Sequence, residues 1–377
     1  MTDFLFFADW VMIDQASDRL HSALLALLRS GLWEREVDDL SPFPLPRVLW
    51  ECVYQLARCQ TVTGLVFRGI QYLPDELLPH ESLLVQWAAE TDAIERKNRE
   101  MNRVLSGLCS LFHSIGLHPV LQKGQGVAHF YDKPLLRECG DIDLYFAGND
   151  AWTAANSAMA SRGARLRELS DKSVYYMWQG IKIEHHARLF DLHNPFLRGY
   201  AARLERDKGF DRLVLDGFPG SELTVPSPFL NLMLLDLHIL KHALGWGIGL
   251  RQLCDMARAC HCLSAGIEPD EMRAVSRRLG ITRWDALLHA CLTGSLGLRE
   301  QCLPYPVSAP TAQPLLDIVW RGGNFGYRLQ SRGQSGQSSW RSKLRTARSF
   351  RHNLRFAVSY APKEAFWLVA RLLKGQF

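Results

Sequence analysis

Residues 117–190 change the texture of the chain, and that change limits what it can fold into. On either side, apolar residues recur at helical spacing, from Leu20 to Leu32, from Val48 to Val66, and again from Ser227-Pro228 through Leu244. Between them the period falls to two. Leu117 to Gln122 reads as a short strand entering a glycine-containing turn, Lys123-Gly124-Gln125-Gly126, with a short helix over Val127–Tyr131. Asp141 to Phe146 alternates acid and apolar residues as a half-buried strand does. Asn149 is placed to cap a helix running to about Arg162, with Gly163 as its stop. Ser173–Trp178 and Ile181–Leu189 then form a hairpin around Gln179-Gly180. A strand–helix–strand–helix–hairpin unit set between helical regions predicts an α+β protein.

The division follows the same texture. Residues 1–80 are a helical region interrupted by the proline-rich connection Ser41–Pro46, because proline breaks helices and sheets alike. A long helix from about Glu81 to Ile115 opens the core, which extends to residue 225, and Gly116 ends that helix. Residues 226–330 are helical again, over Leu250–Leu263, Glu268–Leu279 and Arg283–Leu292, with Gly245–Gly249 interrupting the first stretch. A Gly/Ser/Gln-rich linker, Ser331–Ser339, leads a basic, aromatic-rich tail over 331–377. From Arg328 onward there are eleven basic residues and one acid, so a tail of +10 within a chain of +5 leaves −5 for the remainder. Such a tail can meet nucleic acid or an anionic surface, or can pack on the core with its basic face outward.

With 47% hydrophobic and 22% charged residues the chain is not a disordered one. No run of 18 apolar residues suggests a membrane span, and the apolar N-terminus lacks a basic leading region and a cleavage site. The nine cysteines are odd in number and scattered without a Cys-x-x-Cys pair, which argues against zinc or disulfides and for a cytoplasmic setting.

The chemistry concentrates at Asp141 and Asp143. One residue apart on a strand, both carboxylates project from one face while Ile142 and Leu144 enter the core. Adjacent carboxylates repel unless a positive charge lies between them, and Mg²⁺ (or Mn²⁺) suits because it takes carboxylate oxygens together with substrate phosphates. Glu184, in the alternating stretch Ile181-Lys182-Ile183-Glu184-His185, is the candidate third carboxylate; either His185 or His186 can face the same site. Upstream, Gly124 lets a backbone approach a phosphate closely and Lys123 supplies a compact charge. Arg137 can face phosphates or balance the acids. His238, Lys241 and His242 share one helical face, with Arg251 and Asp255 on the following helix.

The run Leu121-Gln122-Lys123-Gly124, followed by Leu136-Arg137-Glu138-Cys139-Gly140-Asp141-Ile142-Asp143-Leu144, resembles the uncharacterised nucleotidyltransferase family of the DNA polymerase beta-like superfamily. The resemblance continues through Ile183–Leu189, Pro226-Ser227-Pro228, His238–His242 and Leu250–Asp255. It departs at Glu184, where aspartate is commoner, and at His185-His186, where the family tends to Leu-His. The resemblance implies a small mixed-sheet nucleotidyltransferase core. It also implies a metal bound by Asp141, Asp143 and Glu184, and a nucleoside triphosphate such as ATP held by Lys123, Gly124, Arg137 and Lys241. NMP would pass to a small molecule, sugar or protein. An RNA-modifying enzyme and a non-catalytic nucleotide-binding module are the alternatives.

Overall fold

The computed structural model describes residues 2–169, 172–214, 222–245, 247–306, 309–323 and 354–373, with the backbone alone for 2–16 and 371–373. Three helices come first: α1 (Thr2–Trp33), α2 (Arg47–Cys59) and α3 (Thr63–Ile70). Helices α1 and α3 touch backbone to backbone through two glycines. A Cβ on Gly31 would lie 1.9 Å from the Leu65 carbonyl oxygen, and one on Gly69 would lie 1.9 Å from that of Leu27. The long α4 (Glu81–Ser114) follows and ends at Gly116, whose φ of 75° only glycine adopts readily.

The core then alternates strands and helices: β1 (Val120–Gln122), α5 (Lys123–Ala128), β2 (Ile142–Tyr145), α6 (Asn149–Ala160), β3 (Arg167–Glu168), β4 (Val174–Trp178), β5 (Ile181–His186), α7 (Arg198–Lys208), β6 (Phe210–Val214) and β7 (Glu222–Pro226). The strands form one seven-stranded mixed sheet in the order β3-β4-β5-β2-β1-β7-β6. Strand β1 runs antiparallel to β2 and parallel to β7, β2 runs parallel to β5, and the other neighbours are antiparallel. The hairpin turn lies at Gln179-Gly180, both with positive φ, as expected from sequence.

The remaining helices are α8 (Pro228–Leu244), α9 (Leu250–Leu263), α10 (Pro269–Leu279), α11 (Thr282–Gly294), α12 (Gln313–Gly322), α13 (354–360) and α14 (Pro362–Leu373). The expected α+β class is found. The sheet is larger than the sequence reading allowed, because β3, β6 and β7 were not anticipated. Helix α5 begins at Lys123 rather than Val127, since the turn starts directly out of β1. Asn149 is the first helical residue rather than the cap; Gly148 precedes it at φ 89°. The expected linker Ser331–Ser339 lies outside the described residues.

Two apolar clusters hold these parts together. One packs α4 (Met101, Leu105, Leu108, Phe112) and α6 (Ala155, Met159) on one face of the sheet, against Ile142, Leu144, Tyr176 and Ile183. The other is shared by α1–α3, α8–α12 and the last two helices, where Ala357, Ala361, Ala365 and Leu368 are buried. Buried Arg258 on α9 links three regions. It donates to the Leu32 carbonyl at the end of α1, to the Phe130 carbonyl, and through two nitrogens to Asp132. Its guanidinium also lies over the Trp33 ring. The second face of the sheet, between β2/β5 and helices α8 and α9, is left to a polar cavity.

Candidate functional site

Parallel pairing of β2 with β5 sets Asp143 opposite Glu184 and Ile142 opposite Ile183. Because side chains alternate across a strand, this register sorts the residues into two faces. Ile142, Leu144, Ile183 and His185 point to the α4/α6 side. There His185 is fully buried, bonded to Tyr176 and Asn156 and packed edge-on against Phe112. Asp143, Lys182, Glu184 and His186 point to the cavity. Of the two adjacent histidines, His186 is therefore the one at the site.

The ligand atoms of Asp143, Glu184 and His186 all lie within 4.8 Å of one another. The His186 Nε2 is 2.8 Å from the Asp143 carboxylate and 3.6 Å from that of Glu184. Among the described residues this is the only such group of histidine, cysteine and acid side chains. Asp141, one residue before β2, stands apart from it. Its carboxylate lies 3.2 Å from the Lys182 ammonium, which also bonds Glu184. The expected trio of acids thus divides. Asp143 and Glu184 converge with His186, and Asp141 joins through Lys182.

Charge accounts for how such acids coexist. Burial alone would raise the Asp143 carboxyl, but the Lys123 ammonium at 3.3 Å and the His186 hydrogen bond hold it well below the ordinary carboxylate range. Glu184 is pushed the other way, by burial and by the charges of Asp143 and Asp141, with Lys182 opposing. Burial would lower Lys182, yet its bond to Glu184 and the charge of Asp141 raise it overall.

The β1–α5 turn delivers Lys123 to this face. Lys123 has φ 39° and Gly124 has φ 46° and ψ −122°, so two consecutive residues hold backbone conformations that L side chains rarely adopt. A Cβ on Gly124 would approach the Asp141 carbonyl oxygen to 3.3 Å. Gln122, paired with Asp143 across β1 and β2, is 2% exposed, and its buried Nε2 has no hydrogen-bond partner. A buried donor without a partner costs about 1–3 kcal/mol, which a bound oxygen atom would remove.

The opposite wall comes from α8 and α9. His238, Lys241 and His242 line it, together with Arg251, Gln252 and Asp255, around a cavity of about 880 Å³. Lys241 pairs with Asp191 at the rim. Burial, with the nearby charges of Lys123 and Lys241, keeps His238 and His242 neutral, His242 down to about 3. Arg137 borders the cavity but is committed to protein. Its Nε and Nη2 fork onto Asp255 at 2.8 and 2.6 Å, and Nη1 lies 3.0 Å from the Cys139 sulfur. Tyr131 also donates to Asp255 at 2.7 Å, and Arg251 donates to the Glu138 carbonyl at 2.9 Å. Sequence reasoning passed over Lys182, Gln122 and Asp191. For Lys182 a signal was present, since it shares the period-two face that singled out Glu184.

These features define an α+β protein in which a carboxylate–imidazole cluster on a mixed sheet faces a cavity of about 880 Å³ lined by both basic and acidic side chains. The chain belongs to the uncharacterised nucleotidyltransferase family, whose sequence model matches residues 46–293. Among solved structures it is similar to an antigenic nucleotidyltransferase-like protein from Paracoccidioides brasiliensis, at 14% identity and a TM-score of 0.33, over 53% of this chain and 94% of that one. No curated protein matches it.

Proposed function

We propose that the chain transfers NMP from a nucleoside triphosphate to an acceptor hydroxyl on a small molecule, sugar or protein, with a divalent cation at Asp143, Glu184 and His186. One observation carries this reading. The carboxylate–imidazole cluster and the strained Lys123-Gly124 turn open onto the same cavity, so cation and phosphate sites adjoin. The donor set fits the group. Carboxylate oxygens suit Mg²⁺ and Mn²⁺, and the imidazole shifts the preference toward Mn²⁺. Such a cation, when bound, supplies Lewis-acid charge to phosphate oxygens.

The chain's own residues do the rest. Lys123 and the Gly124 backbone receive phosphate oxygens, and Lys241 with Arg251 faces them across the cavity. Arg137, through Asp255, fixes the loop that leads into β2 and so positions Asp141 and Asp143. The acceptor oxygen attacks the α-phosphorus and its proton passes to Glu184. The bond from α-phosphorus to the bridging oxygen breaks, and pyrophosphate leaves. Catalysis is then mainly positioning and charge neutralisation.

The test is transfer of label from α-³²P-labelled ATP, CTP, GTP and UTP to pools of small metabolites, protein and RNA. Label is expected in metabolites or protein, and is lost in the Asp141→Ala/Asp143→Ala double variant. Unchanged transfer by that variant refutes the assignment. Label confined to RNA would favour an RNA-modifying enzyme, and nucleotide binding without transfer a binding module.

A further inference from the structure

Lys182 occupies an unusual place in a site built from three acids. Strand β5 carries Lys182, Glu184 and His186 on its cavity face, and one step back along the β2/β5 register sets Asp141 opposite Lys182. The Lys182 ammonium contacts the carboxylates of both Asp141 and Glu184. A third side is closed by the Tyr175 ring from β4, with the nitrogen 5.4 Å from its centroid. An exposed lysine that merely found a nearby acid would have one partner and a free rotor. This one joins two carboxylates on neighbouring strands and has an aromatic face behind it.

Two-metal centres use acids of this kind to hold cations about 3.5–4 Å apart, with carboxylates shared between them. Here Asp143, Glu184 and His186 converge on one position. The acid left to complete a second position is Asp141, and Lys182 joins it to Glu184. We propose that the site takes a single divalent cation, and that the Lys182 ammonium stands permanently where a second cation would otherwise lie between Asp141 and Glu184. The inference rests on the metal-dependent reading above. Lys182 would neutralise Asp141 and Glu184 without a dissociable ion and present its remaining donor capacity to a phosphate oxygen. It also gives Asp141 a purpose distinct from that of Asp143, which holds the cation directly.

The experiment counts Mn²⁺ bound to the purified full chain by equilibrium dialysis and by electron paramagnetic resonance, with and without α,β-methylene-ATP. The wild type is expected to bind one Mn²⁺ per chain with an uncoupled spectrum. Lys182→Ala and Lys182→Met are expected to raise the count to two and to show spin–spin coupling between close ions, while Lys182→Arg restores one. Using both neutral variants keeps the test open if either fails to fold. Two coupled ions in the wild type would overturn the inference and leave the proposed function standing, as would a count of one in both neutral variants. No Mn²⁺ bound by any form, with or without the nucleotide analogue, would sink the metal-dependent function itself.

Discussion

The buried fork between Arg137 and Asp255 allows a prediction with a direction and an order. Both side chains are 5% exposed, and they join the loop before β2 to helix α9 across 118 residues of sequence. Burial would lower the Arg137 guanidinium, but the Asp255 charge more than offsets it. Arg251 lies close enough for Arg137 to depress it and for Asp255 to raise it. Asp255→Ala therefore removes the anion that two neighbouring guanidinium groups share, and leaves the Tyr131 hydroxyl without its acceptor. Removing one partner of a buried pair costs about 3–5 kcal/mol, and the second guanidinium places this variant at the upper end. Arg137→Met should cost less, because Tyr131 still donates to Asp255 and Arg251 remains near it. Arg137→Met/Asp255→Leu should cost least, since no buried charge of the pair is left unpaired. Urea unfolding followed by tryptophan fluorescence gives the order, and thermal melts should show Asp255→Ala shifted down by about 6 °C. A loss below about 1 kcal/mol for Asp255→Ala would refute the reasoning. So would a double variant as unstable as the Asp255→Ala single.

Gly124→Ala, forced to hold φ 46° with its Cβ against the Asp141 carbonyl, should lose on the order of 1–3 kcal/mol and weaken nucleotide binding, read by urea unfolding and by titration with a fluorescent ATP analogue. Gly69→Ala should drive α1 and α3 apart, lowering stability by at least about 1–3 kcal/mol while leaving the sheet's circular dichroism in place. The acids Asp236 and Asp285 are buried together on α8 and α11, and burial raises both carboxyls, Asp285 to about 6. A raised carboxyl stabilises the fold fully below its unfolded value near 3.8, and that contribution is lost as pH rises through about 6. Asp236→Asn keeps the acceptor for the Trp284 indole N–H at 2.6 Å and supplies a donor toward Asp285. The difference in stability between pH 5 and pH 8 should therefore shrink in that variant, and an unchanged difference would exclude the pair as its source.

How much of this was readable in advance depended on the range of the interaction. Asp143 and Glu184 were found because a period of two is a local property, and the turn at Lys123-Gly124 because glycine after a strand is a local signal. The choice between His185 and His186 was not local. Two adjacent residues on a strand always face opposite ways, and only the pairing of β2 with β5 decides which way is the cavity. The split between Asp141 and Asp143 came from the same source, since the strand begins at Ile142 and Lys182 reaches across to the residue before it. Strand β6 left no pattern to read. Its residues are exposed or half-buried along their whole length, so no apolar face repeats. The partner of Arg137 could not be read from sequence, because an acid 118 residues away carries no spacing signal.

Arg258 alters how the first helix should be regarded. The family match begins at residue 46, past α1, so that helix invites the view of an appendage to a transplantable unit. Yet the Leu32 carbonyl and the Trp33 ring are two of the surfaces enclosing the Arg258 guanidinium, and the same cation grips the Phe130 carbonyl and Asp132, between α5 and β2. A shortened chain starting at residue 46 would lose Leu24, Leu27 and Leu28, uncover Leu65, Val66 and Ile70 on α3, and admit water to a cation tied to the segment that leads into the acids. Inheritance and architecture thus draw different borders here. The stretch that the family model covers holds the acid–imidazole cluster, and the helix before it is one wall of the vessel.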